Sequence, residues 1–405
     1  MEYADLTILA LFVFAYCAIS GRADRTPING ALVYTLFGLA FGAWGLGLLS
    51  FELDSGSLRA IAELTLALVL FSDAANSNLH VLRKNIVVPQ RLLLIGLPLT
   101  IGLGVLAGGF LFPDLPFFEV AVLATMLAPT DAALGKAVVS NRAVPGFIRQ
   151  GLNVESGLND GICVPILFVF LALATGEVSA GAPGGLALKL VMEELGIGLL
   201  VGLGLTAILT LLLRSATRRG WIMDTWQQLP VITMALGCFG AAQWLGGSGF
   251  IAAFSGGLLF GWLAHAEKRE LLKAAEGTGD VLALLTWVAF GAGVVAKALA
   301  HMTWEVVLYA VLSLTVVRML PVYLCLMGTG TDFREKLFMG WFGPRGLASI
   351  VFAVIVLNHQ LPGNDTLVLT VSITILLSVI AHGITANAFA ARIGRDEAGS
   401  GGASS

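Results

Sequence analysis

The chain has 405 residues, of which 57% are hydrophobic and 12% charged, and its net charge is −3. A soluble globular protein carries about 25% charged residues, so this composition excludes a soluble fold. Apolar runs of about twenty residues recur from end to end, which marks a polytopic all-α membrane protein; the short alternating segments of a β-barrel do not dominate. Cys17, Cys163, Cys238 and Cys325 all fall within apolar runs and read as small hydrophobes, without metal-ligand or disulfide spacing. The first run lacks a basic leader, so no cleavable signal peptide is expected.

In chain order, the hydrophobic pattern predicts about thirteen spanning segments. They are Asp5–Ser20, Asn29–Leu49, Leu58–Ala75, Val88–Phe112, Phe117–Ser140, Pro145–Thr175, Leu186–Leu213, Thr225–Leu245, Gly249–Ala264, Gly277–Leu299, Trp304–Met327, Phe338–Leu357 and Thr366–Ala391. With the N-terminus outside, alternate loops carry Arg22 and Arg25; Arg83, Lys84 and Arg91; Arg142 and Arg149; Arg214, Arg218 and Arg219; Lys268, Arg269 and Lys273; Arg334 and Lys336; Arg392 and Arg395. The other loops keep only Arg59, Lys189 and Lys297. This alternation follows the positive-inside rule and puts the C-terminus in the cytoplasm. The basic clusters are therefore topology signals, and no nucleic-acid partner is expected. The Gly/Ser-rich tail, 392–405, is expected to be disordered.

Thirteen segments divide as six, one and six. The fifth contains Ala128-Pro129-Thr130-Asp131 and the twelfth Gly343-Pro344-Arg345-Gly346. Each proline interrupts the helical ladder, and each break is fifth in its group of six. Matching broken helices in two halves point to inverted repeats around a site at the bilayer midplane, the architecture of a secondary transporter.

The central stretch of the sixth segment is Glu155-Ser156-Gly157-Leu158-Asn159-Asp160-Gly161. A charged side chain at membrane depth costs about 2.5–3.5 kcal/mol on insertion scales, so each acid needs a partner or a task. Ser156 and Asp160 are four apart and share a helix face; Glu155 and Asn159 share the neighbouring stripe. Asp160 is read as the carboxylate that alternates between a proton and a cation, against the alternative of a protonated structural acid. Asp131, with Thr130, either balances a cation held by carbonyls freed at Pro129 or caps a half-helix. Asp73, at the end of the third segment, is open between ligand and exposed helix-end acid. Arg318 lies inside an apolar run and needs a buried carboxylate. Glu155 is the preferred partner, with Arg345 as the rival claimant. Glu63, Asp280 and Glu305 read as interfacial, and His265, His301 and His382 as incidental residues near segment ends. No phosphate-binding loop, zinc-protease or nucleophile-elbow motif occurs, and no enzyme activity is expected.

These motifs occur in an order that resembles the NhaP-type sodium/proton antiporters of the monovalent cation/proton antiporter superfamily. The pieces are Pro129-Thr130-Asp131, Glu155-Ser156-Gly157-Leu158-Asn159-Asp160-Gly161, Arg318-Met319-Leu320-Pro321-Val322 and Gly343-Pro344-Arg345-Gly346. The similarity runs to about Ala391, and Glu-Ser-x-x-Asn-Asp is its specific part.

The resemblance implies a transmembrane antiporter domain over 1–391. A mobile core would come from 88–175 and 304–391, a dimerisation scaffold from 5–75 and 225–299, and a linker helix from 186–213. It implies Na+ (or Li+) held at Asp160, Ser156, Thr130 and Asp73, with help from Asp131. Glu155, Arg318, Asn159 and Arg345 would brace the site. Asn159, standing where a second aspartate can occur, implies electroneutral exchange of one Na+ for one proton. A homodimer in the bacterial inner membrane, moving its site by an elevator-like step, is expected. No cofactor is expected beyond the transported Na+ and H+. Ala132-Ala133 after Asp131, where many members carry a proline, and the extra proline of Gly-Pro-Arg-Gly are departures. Oxygen ligands alone do not separate Na+ from K+, so a K+/H+ antiporter is the alternative. A cation channel and an intramembrane protease are more distant ones.

Overall fold

The computed structural model describes residues 3–23, 29–49, 56–76, 87–131, 134, 138, 141, 144–176, 185–264 and 268–401. Arg25, Arg83, Lys84, Ala132, Ala133, Arg142 and His265, used above, lie outside them.

The described residues form helices in the order the hydrophobic pattern predicts. The first three are α1 (Tyr3–Ala23), α2 (Gly30–Phe41) and α3 (Gly56–Asn76). Helix α4 spans Val87–Leu111, α5 Phe117–Met126, α6 Gly146–Ala174 and α7 Gly185–Arg218. Then come α8 (Pro230–Trp244), α9 (Gly249–Leu263) and α10, which begins at Lys268 and ends at Ala300 after a π turn at Phe290–Val295. Helix α11 spans Trp304–Cys325. The twelfth segment is two helices, α12 (Phe333–Trp341) and α13 (Leu347–Leu357), and the last is α14 (Asn364–Gly401). Among the described residues, seven helices are long and apolar enough to span a membrane, and shorter apolar helices lie between them.

Local chemistry sets the ends. Asn29 accepts the Ala31 N–H and starts α2; Ser248 caps α9 and Thr303 caps α11. Asp332 and Glu335 form a reciprocal capping box at α12. That box starts the helix at Phe333, ahead of the apolar run at Phe338. Helix α10 likewise begins nine residues before the expected Gly277, in a polar turn where Lys273 pairs with Glu270 at 2.8 Å.

The expected end at Ala391 is not observed. Helix α14 continues to Gly401, so the stretch expected to be disordered is helical up to there, and residues 402–405 lie outside the described part. One glycine, Gly394, costs a helix only about 1 kcal/mol relative to alanine and does not by itself stop it.

Large apolar side chains face outward on the long helices, among them Leu106, Phe110, Leu200, Leu211 and Ile384. In a membrane that surface meets lipid. Helix α3 packs on α9, α10, α6 and α13, while α4, α5 and α11 pack together beside α14. The α3–α9 contact is backbone-close because Gly257 and Gly261 lie against the carbonyls of Phe71 and Ala75; a Cβ at either would overlap them. This close approach fixes the end of α3 that carries Asp73.

The fifth and twelfth segments cross in opposite directions. The buried Glu119, in the first turn of α5, accepts the N–H of Gly363 at 2.8 Å, just beyond the end of α13. The start of one broken segment thus lies on the same side as the finish of the other, which is the inverted arrangement that the spacing of the two prolines predicts.

Candidate functional site

The site begins with two interruptions. Helix α5 stops at Met126, and Leu127 to Asp131 are not helical. Between α12 and α13, residues 342–346 are also non-helical. Pro129 and Pro344 lack the N–H that would continue each ladder. Helix ends leave backbone groups unsatisfied, and inside a membrane these need partners from the protein.

Each break supplies partners to the other. The Asp131 N–H donates to the Pro344 carbonyl at 2.8 Å. Ser349 Oγ, in α13, donates to the Met126 carbonyl at 2.7 Å. Arg345 Nη1 donates to the carbonyls of Ala128 and Pro129 at 2.9 and 3.1 Å, placing a cation at the C-terminal end of α5. The Asp131 carboxylate accepts from Leu347 N–H at 3.0 Å, at the N-terminus of α13, and from Leu134 N–H at 3.3 Å. Asp131 therefore caps across the two breaks as well as within its own segment. Gly346 makes room for this, because a Cβ there would occupy the position of the Asp131 carboxylate.

Helix α6 carries the acidic stretch past the crossing. Glu155, Ser156, Asn159 and Asp160 are all buried. Ser156 Oγ donates to the Thr130 carbonyl, and Asn159 Nδ2 donates to Thr130 Oγ1 at 2.7 Å. Glu155 turns to α11, where Arg318 Nη1 and Nη2 donate to its two oxygens at 2.6 and 2.8 Å. Arg345, the rival partner, is engaged with carbonyls instead. The stripe pairing of Glu155 with Asn159 separates here: Asn159 lies i+3 from Ser156 and reaches the same residue, Thr130, that Ser156 holds.

Asp160 is buried beside this group, and its Oδ1 has no hydrogen-bond partner; the same is true of Asn159 Oδ1. Asp160 feels the charges of Asp131 and Asp73. Asp73, half-buried on α3, faces the charges of Asp131 and of Glu276 and Asp280 on α10. The structure thus brings Thr130, Asp131, Ser156, Asn159 and Asp160 to one crossing, with Asp73 within electrostatic reach. Glu155 and Arg318 stand aside as a closed pair. A buried acceptor left without a donor costs about 1–3 kcal/mol. Bare oxygens that a proton or a hard cation would satisfy are what this site presents.

Two contributors were missed by the sequence reading. His382 is buried, not at a segment end: its Nε2 lies 2.8 Å from the Trp341 carbonyl, at the end of α12, and its Nδ1 2.8 Å from the Ser378 carbonyl. Ser378 Oγ accepts the Arg345 N–H at 2.7 Å. The signal available was the four-residue spacing of Ser378 and His382, which puts both on one face of α14. The hydrophobic pattern ends this segment nine residues after His382, and α14 continues well beyond that, so the histidine sits deeper along it.

The chain matches the family model described as sodium/hydrogen exchanger, transmembrane, over residues 8–392. A probable Na+/H+ antiporter of Schizosaccharomyces pombe is 26% identical over 287 residues, covering 67% of this chain and 37% of that protein. The K+/H+ antiporter NhaP2 of Shewanella sp. (strain MR-4) is 23% identical over 389 residues, 96% of this chain and 66% of its own length. The chain therefore spans less than two thirds of either relative. Among solved structures, the sodium proton antiporter MjNhaP1 of Methanocaldococcus jannaschii superposes with a TM-score of 0.77 at 21% identity, covering 96% of this chain and 98% of that one. That likeness is one of fold.

Proposed function

Since the chain belongs to the sodium/hydrogen exchanger family, we propose that it exchanges Na+ (or Li+) for H+ across a membrane, with both ions competing for Asp160. The observation that carries this reading is the buried Asp160 Oδ1 without a hydrogen-bond partner, next to a helix break held by Ser156 and Asn159. A proton satisfies that oxygen. So does a monovalent cation, completed by oxygens such as those of Thr130, Ser156 and Asn159. One carboxylate does not hold both, so each ion's release admits the other, and two gradients are coupled without ATP. Alternating access requires the site to open to one side at a time.

Several finer features belong to the same reading. Exchange is one for one, because Asn159 adds no second charge. The body formed by 88–175 and 304–391 carries the site past a scaffold formed by 5–75 and 225–299 in an elevator-like step, with 186–213 as the linker. Two copies pair in a bacterial inner membrane, N-terminus outside and C-terminus in the cytoplasm. Asp73 joins the ligand set in one state of the cycle.

The test is Asp160→Asn in proteoliposomes with a trapped pH dye. Sodium-driven dequenching should vanish while the purified protein keeps its elution profile and melting behaviour. Retained exchange in that variant would refute the assignment.

A K+/H+ reading has its own support: the Shewanella K+/H+ antiporter aligns over 96% of this chain, against 67% for the yeast Na+/H+ relative. Titrating Na+, Li+ and K+ separately against a pre-formed pH gradient decides between the two.

A further inference from the structure

The break between α12 and α13 is held from α14 at both of its ends. On the α12 side, the Trp341 carbonyl is one of the helix-end acceptors that the ladder leaves over. It accepts the Gly343 N–H at 2.9 Å and lies 2.8 Å from His382 Nε2. A carbonyl oxygen only accepts, so Nε2 carries a proton and donates it here. On the α13 side, the Arg345 N–H donates to Ser378 Oγ at 2.7 Å. Ser378 and His382 stand one turn apart on α14, and Ser378 Oγ lies 3.2 Å from His382 Nδ1. Arg345, Ser378 and His382 are all buried. The imidazole also packs beside the rings of Trp341 and Phe342, with centroids 5.2 and 6.3 Å away.

We propose that His382 and Ser378 are positioning residues for ion exchange, a clamp on 342–346 that aims the Thr130 carbonyl at the cation. This role rests on the exchange reading given above. Between the two points of attachment sits Pro344, whose carbonyl accepts the Asp131 N–H at 2.8 Å. The Asp131 N–H and the Thr130 carbonyl belong to one planar peptide group. Holding the N–H therefore sets the direction in which that carbonyl points. The preceding peptide is tied as well, because Arg345 Nη1 donates to the Pro129 carbonyl at 3.1 Å. Both peptide groups that flank Thr130 are thus fixed by residues inside the clamp.

The arrangement predicts where the loss falls. Without the clamp, the break can shift and the Thr130 oxygen turns away, while the Asp160 carboxylate stays in place to take a proton. Cation affinity then suffers more than turnover. Groups that orient the ligands of a metal ion from behind typically change its affinity by about 10–100-fold.

The experiment compares wild type, His382→Leu, His382→Gln, Ser378→Ala and Thr385→Val as full-length proteins. Exchange of Na+ and of K+ is measured in proteoliposomes, and backbone amide hydrogen exchange in detergent. His382→Leu should raise the KM of the transported cation about tenfold with little change in maximal rate. Amides of 127–131 and 342–349 should exchange faster, and those of α3 and α9 should not. Ser378→Ala should move both readouts the same way. His382→Gln supplies an N–H for the Trp341 carbonyl and should recover most of the loss. Thr385→Val removes the 2.9 Å bond from the Trp341 indole, which joins the same two helices without touching 342–346. It should lower the melting temperature and leave KM alone. An unchanged KM in His382→Leu and Ser378→Ala, no recovery with glutamine, or an equal rise in Thr385→Val would each overturn the proposal. A wild type that moves neither ion sinks the exchange reading and this role with it, whereas unchanged amide exchange in His382→Leu and Ser378→Ala sinks the clamp alone. If His382→Leu does not fold, Ser378→Ala decides.

Discussion

Arg318 meets Glu155 through two parallel hydrogen bonds of 2.6 and 2.8 Å, and each side chain is only 2% exposed. Fork-to-fork geometry is the strongest form of this contact. Burial makes it asymmetric in its consequences, because either charge left alone keeps its desolvation cost. The pair also ties α6, which carries Asp160, to α11, whose backbone is irregular at Thr315 and contains Pro321.

Removing one member should therefore be worse than removing both. Glu155→Met or Arg318→Met is expected to destabilise the protein by about 3–5 kcal/mol, the cost of an uncompensated buried charge. Glu155→Met combined with Arg318→Met should recover most of that. Melting curves of the four proteins in one detergent give the coupling directly, and additive single effects would contradict the bracing role.

The proposed competition of proton and cation for Asp160 fixes the sign of the pH dependence to be expected. As pH falls, the carboxyl is protonated and the cation is expelled, so the apparent KM for Na+ should rise. The rise should approach about tenfold per pH unit once protonation dominates, with the maximal rate little changed, as mass action at one site requires. Initial rates over a grid of pH and Na+ concentration check it. A falling maximal rate at constant KM would point to a separate regulatory proton.

Thr130 links the break to α6 through its side chain as well as its carbonyl. In Thr130→Val the Oγ1 acceptor is gone, and Asn159 Nδ2 is left buried without its partner. The expected loss is about 1–3 kcal/mol, with weaker cation binding, and Thr130→Ser should restore both. Isothermal titration or protection from thermal unfolding by Na+ separates the binding effect from the stability effect.

Asp131 and Gly346 act as a unit. Asp131→Ala removes a cap shared by two backbone N–H groups, worth about 1–2 kcal/mol, whereas Asp131→Asn keeps an acceptor and should retain much of the stability. Gly346→Ala places a methyl where the Asp131 carboxylate sits and should be at least as damaging as Asp131→Ala. Combining Gly346→Ala with Asp131→Ala should then cost less than the sum, which a double-mutant melting series tests.

The sequence by itself determined the class of the molecule and the place of its breaks. Membrane insertion imposes that legibility: about twenty apolar residues must be contiguous to span, and an acid or arginine inside them stands out. Pro129 and Pro344 announced their interruptions because a missing N–H is a local, covalent fact. Asp160 and Glu155 stood out as acids inside an apolar run, Ser156 by its four-residue spacing from Asp160, and the partner of Arg318 could be chosen from the short roster of buried acids.

Tertiary structure alone decided which residue answers which orphaned group. Asp131 serves the N-terminus of α13 some two hundred residues away in sequence, Arg345 serves the carbonyls after α5, and Asn159 goes to Thr130 instead of standing with Glu155. His382 and Ser378 entered the same network although nothing in their local sequence marks a charge out of place. Helix periodicity sets the direction of a side chain on its own helix, but not what a crossing helix presents to it. That depends on how two inverted halves meet, and a backbone carbonyl, present at every residue, leaves no mark in the sequence when it becomes a partner.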